Sequence, residues 1–330
     1  MTSWRLFGGC WVSMGTRNLS RFVKDLAGRL FIPPLAAVAV RLKWSSASRL
    51  GNALGDLAYT FSRRYRKQAV ENLIMAYGAE WTPDRIRSIA RQVFRNFTRA
   101  GIEFFAIQKM SDEELRRVMP LRGMEHLDAA IAKGNGTIFL TGHLGNWELL
   151  ARRLVMEGYK LNVIARDSDD PAMTGLFNSV RGSGGYVVLP RRNAVGPALR
   201  CLRRNEVLGI LPDQNTLGPC VFVEFFGRLA ATAMGPAMFS IRTGAPVVPG
   251  FAPRMPDGSY EGVIYPAMEL QPTGDRDTDV AALVQAYTTV IEQEVRKHPD
   301  QWLWLHGRWR RRPTPAQERS SELMLSQSNV

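Results

Sequence analysis

Gly136-Thr-Ile-Phe-Leu-Thr-Gly-His-Leu-Gly-Asn-Trp-Glu-Leu-Leu150 decides how the rest of the chain is read. Thr137 to Leu140 is short, β-branched and aromatic, the signature of a buried strand, and Thr141-Gly142 ends it. Beyond it Trp147, Leu149, Leu150, Leu154 and Val155 recur at helical spacing, with Arg152, Arg153 and Glu157 on the polar side. His143 therefore sits in a strand-to-helix turn and Glu148 in the first turns of the helix, both facing one opening. Histidine takes a proton from a hydroxyl near neutral pH, and a nearby carboxylate can orient its ring, so the pair describes a general base for an alcohol. A helix-capping histidine beside a surface glutamate would leave the same pattern. The strand before the pair and the glycines around it, Gly142 and Gly145, favour the chemical reading, because α/β turns of this kind commonly bind ligands.

Outward from this stretch, strands and helices alternate. A helix over Met124 to Lys133 precedes the strand, and then come strand Leu161 to Ala165, helix Pro171 to Arg181 and strand Tyr186 to Leu189. Helix Ala194 to Arg204, strand Val207 to Pro212 and an apolar segment Cys220 to Phe226 follow. Helix Met234 to Thr243, strands Pro246 to Phe251 and Tyr260 to Tyr265, and a long helix from Asp277 to Lys297 complete the series. The alternation predicts an α/β fold, a mostly parallel central sheet flanked by helices. Ala69 to Val118 is helical throughout, with starts at Thr82-Pro83-Asp84 and at a Ser111 capping box.

Leu30 to Val40 is an apolar run containing Pro33-Pro34 and closed by Arg41 and Lys43, too short to span a bilayer. With Arg63, Arg64, Arg66 and Lys67 nearby it matches an interfacial anchor drawn to anionic lipid, the alternative being a buried hairpin of core helices. Arg17, Arg21, Lys24 and Arg29 read as the solvated face of an amphipathic helix. The expected organisation is an N-terminal helical, membrane-associating region over 1–68, a catalytic domain over 69–313, and a polar, disordered tail over 314–330.

Lys and Arg exceed Asp and Glu to give a net charge of +13, which favours a polyanionic partner: nucleic acid, anionic headgroups or an acidic carrier protein. Cys10, Cys201 and Cys220 form no close pair, and His126, His143, His298 and His306 lie far apart, so neither a disulfide framework nor a metal site is expected. A Gly-x-Ser-x-Gly elbow and a phosphate-binding Gly-Lys-Ser are absent, which argues against a serine hydrolase and against nucleotide binding. Asp213 follows strand Val207 to Pro212 at the sheet edge where ligands bind, or caps a turn with Gln214. Arg181, before a glycine-rich turn, is placed to hold a phosphate or an oxyanion, or to complement a helix C-terminus. Near the end, Trp302-Leu-Trp-Leu-His-Gly-Arg-Trp-Arg-Arg-Arg-Pro313 suits either nucleic-acid bases or a lipid headgroup boundary.

The ordered blocks His143-Leu-Gly-Asn-Trp-Glu148, Leu211-Pro-Asp-Gln214, Val223-Glu-Phe-Phe-Gly through Thr232, Thr243-Gly-Ala-Pro-Val-Val-Pro249 and Trp304-Leu-His-Gly-Arg-Trp309 resemble the bacterial lipid A biosynthesis late acyltransferases, within the lysophospholipid acyltransferase group. The resemblance covers about residues 60–313. It implies transfer of a fatty acyl chain from acyl carrier protein to a hydroxyl of a Kdo-bearing lipid A precursor, at the cytoplasmic face of the inner membrane, with no metal or cofactor. It further implies that His143 deprotonates the acceptor, that Glu148 holds the imidazole, and that Arg181 and Asp213 are further charged site residues, with Arg181 or backbone N–H groups stabilising the oxyanion. Asn146, Gln214, His306 and Arg308 are expected at the substrate, and Phe225, Phe226 and Ala230 along an acyl channel or in the core. Another glycolipid or a lysophospholipid acceptor, with acyl-CoA as donor, is the enzymatic alternative. A nucleic-acid-binding protein is the non-enzymatic one, which leaves the His143/Glu148 turn without a use. Gly307 stands where the resemblance calls for a basic residue beside His306.

Overall fold

The computed structural model describes residues 29–168, 170–269 and 272–319. The Arg17, Arg21 and Lys24 series and the tail beyond Arg319 lie outside them, while 315–319, within the expected disordered tail, are helical. Helices come first. Residues 29–39 (α1), Trp44–Phe61 (α2), Arg63–Tyr77 (α3), Pro83–Ala106 (α4) and Asp112–Val118 (α5) precede the sheet. Thr82 caps α4, accepting from the Arg85 N–H with Pro83 in the first turn, and Ser111 with Glu114 closes a capping box on α5, both as the local sequence dictates. The helix α1 runs through Pro33-Pro34. Its Ala36 and Ala39 are buried with Ala47 of α2 and Phe104 and Phe105 of α4, whereas Leu30, Phe31 and Val38 stay exposed. The run is thus half core hairpin and half open apolar surface. Among the described residues no helix is long and apolar enough to cross a membrane.

The remaining elements are β1 (Leu121–Arg122), α6 (Met124–Ile131), β2 (Thr137–Leu140), α7 (Trp147–Met156), β3 (Leu161–Ala165), α8 (Pro171–Ser183), β4 (Val187–Pro190), α9 (Val195–Arg203), β5 (Val207–Ile210), β6 (Cys220–Phe225), β7 (Arg228–Ala233), α10 (Gly235–Thr243), β8 (Val247–Phe251), β9 (Gly262–Ile264) and α11 (Arg276–Lys297). The sheet order is β1-β9-β8-β2-β5-β3-β4. Strands β8, β2, β5, β3 and β4 are mutually parallel, and β9 runs antiparallel to β8. The expected mostly parallel sheet is therefore present. β2 and β5 lie at its centre, buried along their whole length, which is why both read as unbroken apolar runs. Two strands, β1 and β7, were not expected. The apolar Cys220 segment is one arm of a separate antiparallel hairpin whose other arm, β7, carries the small residues Ala230, Ala231 and Ala233 and gives little strand signal.

Behind α7 lies a buried charged cluster. Glu103 of α4, fully buried, accepts from Ser48 (2.8 Å), Tyr260 (2.6 Å) and Asn146 (3.2 Å), and pairs with buried Arg254. Removing one partner of a buried ion pair leaves the other charge desolvated and unpaired, at a cost of about 3–5 kcal/mol. Glu103→Ala should therefore lower unfolding free energy by about that amount in denaturant titrations; a loss no larger than that of an exposed glutamate would show that the cluster is not a folding determinant.

Candidate active site

The carboxyl ends of β2 and β5 meet at the candidate site. Leu140 pairs with Ile210, and His143 and Asp213 each lie three residues further on (143 − 140 = 3; 213 − 210 = 3), so parallel register carries them to the same level. The Asp213 carboxylate is almost fully buried and accepts three hydrogen bonds: from the His143 backbone N–H (2.7 Å), from the His143 ring at Nδ1 (2.7 Å) and from the Trp302 indole (2.8 Å). Burial opposes ionisation most strongly. The neighbouring His143 charge and these donors together outweigh it and hold Asp213 at about 2. An ionised Asp213 can only accept, which puts a ring proton on Nδ1, so that in the neutral ring the lone pair is on Nε2. Nε2 faces the Gln214 amide at 3.3 Å, and Trp147 packs against the ring at 5.0 Å.

Close backbone contacts hold the His143 turn. The His143 carbonyl accepts from Leu303 N–H (3.1 Å), Gly145 N–H donates to Gln301 (3.2 Å) and Asn146 N–H to Ala252 (3.0 Å). Gly145 is required here, since its φ is +63° and a Cβ would lie 1.9 Å from the Ala252 carbonyl oxygen. Asn146 then caps α7, its side-chain oxygen accepting from Leu149 N–H at 3.0 Å while its amide donates to Glu103.

Glu148 projects from the first turn of α7 into the same cavity as His143, but its partners are others. Arg181 donates to it from Nη2 (2.6 Å) and Nε (3.2 Å), and the Tyr186 hydroxyl donates at 2.7 Å. Burial, reinforced by the Glu148 charge, pushes the Tyr186 phenol far above its ordinary value, so it remains a donor. The cavity measures about 470 Å³, with Phe139, Leu150, Leu154, Leu161 and Val163 among its apolar lining and Gly209 beside them. Its polar lining includes His143, Glu148, Arg181, Arg191 and Gln214.

One expectation needs correction. The carboxylate that holds the imidazole is Asp213, not Glu148, which is paired with Arg181 instead. The reason is spatial, because strand pairing brings Asp213 onto Nδ1 while α7 turns Glu148 toward α8. Of the channel and core alternatives for Phe225, Phe226 and Ala230, the core holds. Phe225, Phe226 and Ala230 are buried in the core, with Phe225 and Phe226 against Trp302 and Trp304. Arg308 is equally buried, donating to the Ala231 carbonyl (2.7 Å) and the Thr232 hydroxyl (2.5 Å). It braces the β6–β7 hairpin and is not part of the cavity lining. His306 lies close enough to feel the Asp213 and His143 charges, and its Nδ1 is buried without a hydrogen-bond partner. The missing side chain at Gly307 has a substitute, for the Arg310 guanidinium folds over it, 3.1 Å from where a Cβ would stand. Tyr186 at Glu148 and Trp302 at Asp213 were not expected from the sequence, because the polar atom of each acquires meaning only from a partner distant in the chain.

The sequence profile of the bacterial lipid A biosynthesis acyltransferases matches residues 34–311. The chain belongs to that family. Among similar proteins, a lipid A biosynthesis lauroyltransferase of Escherichia coli (strain K12) is 29% identical over 84% of this chain and 89% of its own length. A phosphatidylinositol mannoside acyltransferase of Mycobacterium tuberculosis (strain CDC 1551 / Oshkosh) is 28% identical over 69% of this chain and 71% of its own. This member of the lipid A acyltransferase family is accordingly an acyltransferase.

Two measurements probe this geometry. Asp213→Asn keeps the shape but cannot hold Nδ1–H as an anion does, and acyl transfer should fall by about two orders of magnitude or more; near-normal turnover would exclude the Asp213–His143 pairing from the chemistry. His306 is one pH-sensitive group, and burial lowers His298 in the same direction. Burial, with the His143, Arg310 and Arg308 charges and against Asp213, lowers His306 from 6.5 to about 4. The unfolded chain therefore takes up a proton that the folded one refuses as pH falls from 6.5 toward 4, and folding stability declines across that window. In His306→Asn the stability–pH curve should be flatter there, and an unchanged slope would refute the assignment.

Proposed function

We propose that this protein transfers a fatty acyl chain from an acyl carrier protein thioester to a hydroxyl of a Kdo-bearing lipid A precursor, at the cytoplasmic face of the inner membrane. The observation that carries the reading is the buried Asp213 on Nδ1 of His143, which leaves Nε2 as the ring nitrogen beside a largely apolar cavity. In this mechanism Nε2 takes the acceptor's hydroxyl proton while the oxygen attacks the thioester carbonyl. Asp213 stabilises the imidazolium that forms. The tetrahedral oxyanion develops near the start of α7, whose dipole favours negative charge. Collapse breaks the carbon–sulfur bond, and the imidazolium returns its proton to the leaving thiolate. The products are the ester and the free thiol.

The apolar lining under α7, with Gly209 in place of a larger side chain, suits a hydrocarbon chain better than the aromatic core around Phe225. Glu148, Arg181 and Tyr186 form one rigid polar wall opposite. Similarity both to lipid A acyltransferases and to phosphatidylinositol mannoside acyltransferases supports a glycolipid acceptor. The basic balance of the chain suits acidic carrier protein and anionic headgroups alike. Exposed Leu30, Phe31, Leu57 and Phe61, with Arg63, Arg64 and Lys67 following in sequence, support contact with a bilayer surface.

Purified protein supplied with acyl–acyl carrier protein and a lipid A precursor should yield an acceptor heavier by one acyl chain on mass spectrometry, and His143→Ala should abolish the product. Transfer retained in His143→Ala would sink the mechanism. Transfer only from acyl-CoA, or only to a lysophospholipid, would replace donor or acceptor in this reading.

A further inference from the structure

The loop that carries Asp213 continues through Gln214, Asn215 and Thr216, all three at the cavity wall. Two guanidiniums grip it. Arg191, following β4, donates from Nη2 to the Thr216 hydroxyl at 3.2 Å. Arg311, in the basic run near the C-terminus, donates from Nη1 to the Thr216 carbonyl (3.3 Å) and the Gly218 carbonyl (2.9 Å), while its backbone N–H donates to Asn215 (3.2 Å). Thr216 is buried, yet the next residue, Leu217, is 87% exposed.

These contacts leave a charge imbalance. Two cations share one threonine, and among the described residues no carboxylate forms an ion pair with either, although both are drawn to neutral oxygens of the same short loop. Each keeps unused N–H donors in a planar fork suited to the oxygens of a phosphoryl group. Thr216 lies only three residues beyond Asp213, so the chain between them spans at most about 10 Å.

We infer that Arg191 and Arg311 form a phosphoryl-binding site at the rim of the cavity, which takes a phosphate group of the glycolipid acceptor. The inference rests on the acyl-transfer reading above and adds a contact that orients the acceptor. Leu217 favours the lipid as its source. An exposed leucine beside a paired cation suits an amphiphile whose phosphate sits at the boundary between polar headgroup and several acyl chains, whereas the phosphopantetheine arm of a carrier protein offers only a small gem-dimethyl group beside its phosphate. The site also gives a use to Arg311 in the basic segment around Trp309, where Arg308 is spent in the core and Arg310 covers Gly307.

The test uses the full chain with acyl–acyl carrier protein and a lipid A precursor, intact or treated with phosphatase. Removing the phosphates should raise the wild-type KM for the acceptor. Arg191→Gln and Arg311→Gln should each raise KM for the intact acceptor about tenfold, as expected for losing a charge-assisted contact, and should discriminate far less between the two acceptors. Arg311→Lys, which keeps the charge, should recover part of that discrimination. Because both arginines also brace the loop, the treated acceptor is the control: a merely misplaced loop would slow both substrates alike, and that result overturns the site. A rise confined to the KM for acyl carrier protein overturns it too, by placing the pair on the donor's phosphopantetheine arm. Wild-type protein that acylates neither acceptor would instead defeat the parent reading, a result visible before any variant is made.

Discussion

A single buried negative charge organises this molecule. Asp213 lies out of reach of bulk water, so each lone pair it presents must be met by a donor, and the donors come from two distant segments of chain. His143 offers its backbone and its ring, and Trp302 offers its indole. Satisfying the carboxylate thus positions the turn after β2 against the loop after β5 and draws the C-terminal segment over both. The same requirement selects the tautomer of His143. Folding and reactivity share one set of hydrogen bonds.

A second buried carboxylate, Glu103, works from the opposite side of α7. It is met by Ser48 and Tyr260, paired with Arg254, and reached by Asn146, the residue that caps α7 next to Trp147 and Glu148. The N-terminal helices are in this way joined to the first turn of the helix that bears Glu148. Asn72 of α3 does the same at the far end, donating to the carbonyls of Trp304 and His306 at 2.7 Å each. Neither contact touches the cavity; both constrain elements that line it or hold its residues.

The strands and helices were legible wherever burial imposes a period. Thr137 to Leu140 and Leu161 to Ala165 coincide with β2 and β3 residue for residue, because strands in a parallel sheet covered on both faces keep unbroken apolar runs. β7 was not legible, since alanines carry no β-branched signal and its partner is supplied across a hairpin. The α1 proline pair suggested an interruption that packing against α2 and α4 overrides. Of the residues expected at the site, His143, Glu148, Arg181 and Gln214 line one cavity and Asp213 lies behind it, whereas Phe225, Phe226, Ala230 and Arg308 went to the core. Aromatic and arginine side chains in a motif look alike in sequence whether they face a ligand or one another.

The amino-acid sequence by itself determined the alternation of strands and helices, the strand-to-helix turn with a histidine at its tip, and the blocks that mark the family. It could do so because these are properties of neighbouring residues: periodicity, capping and turn chemistry act within a few positions. Only the tertiary structure decided which carboxylate serves that histidine. His143 and Glu148 are close along the chain, yet a helix sends Glu148 toward Arg181 and Tyr186. Asp213, 70 residues away, arrives because β2 and β5 pair in register and a buried charge must be met by every donor in reach.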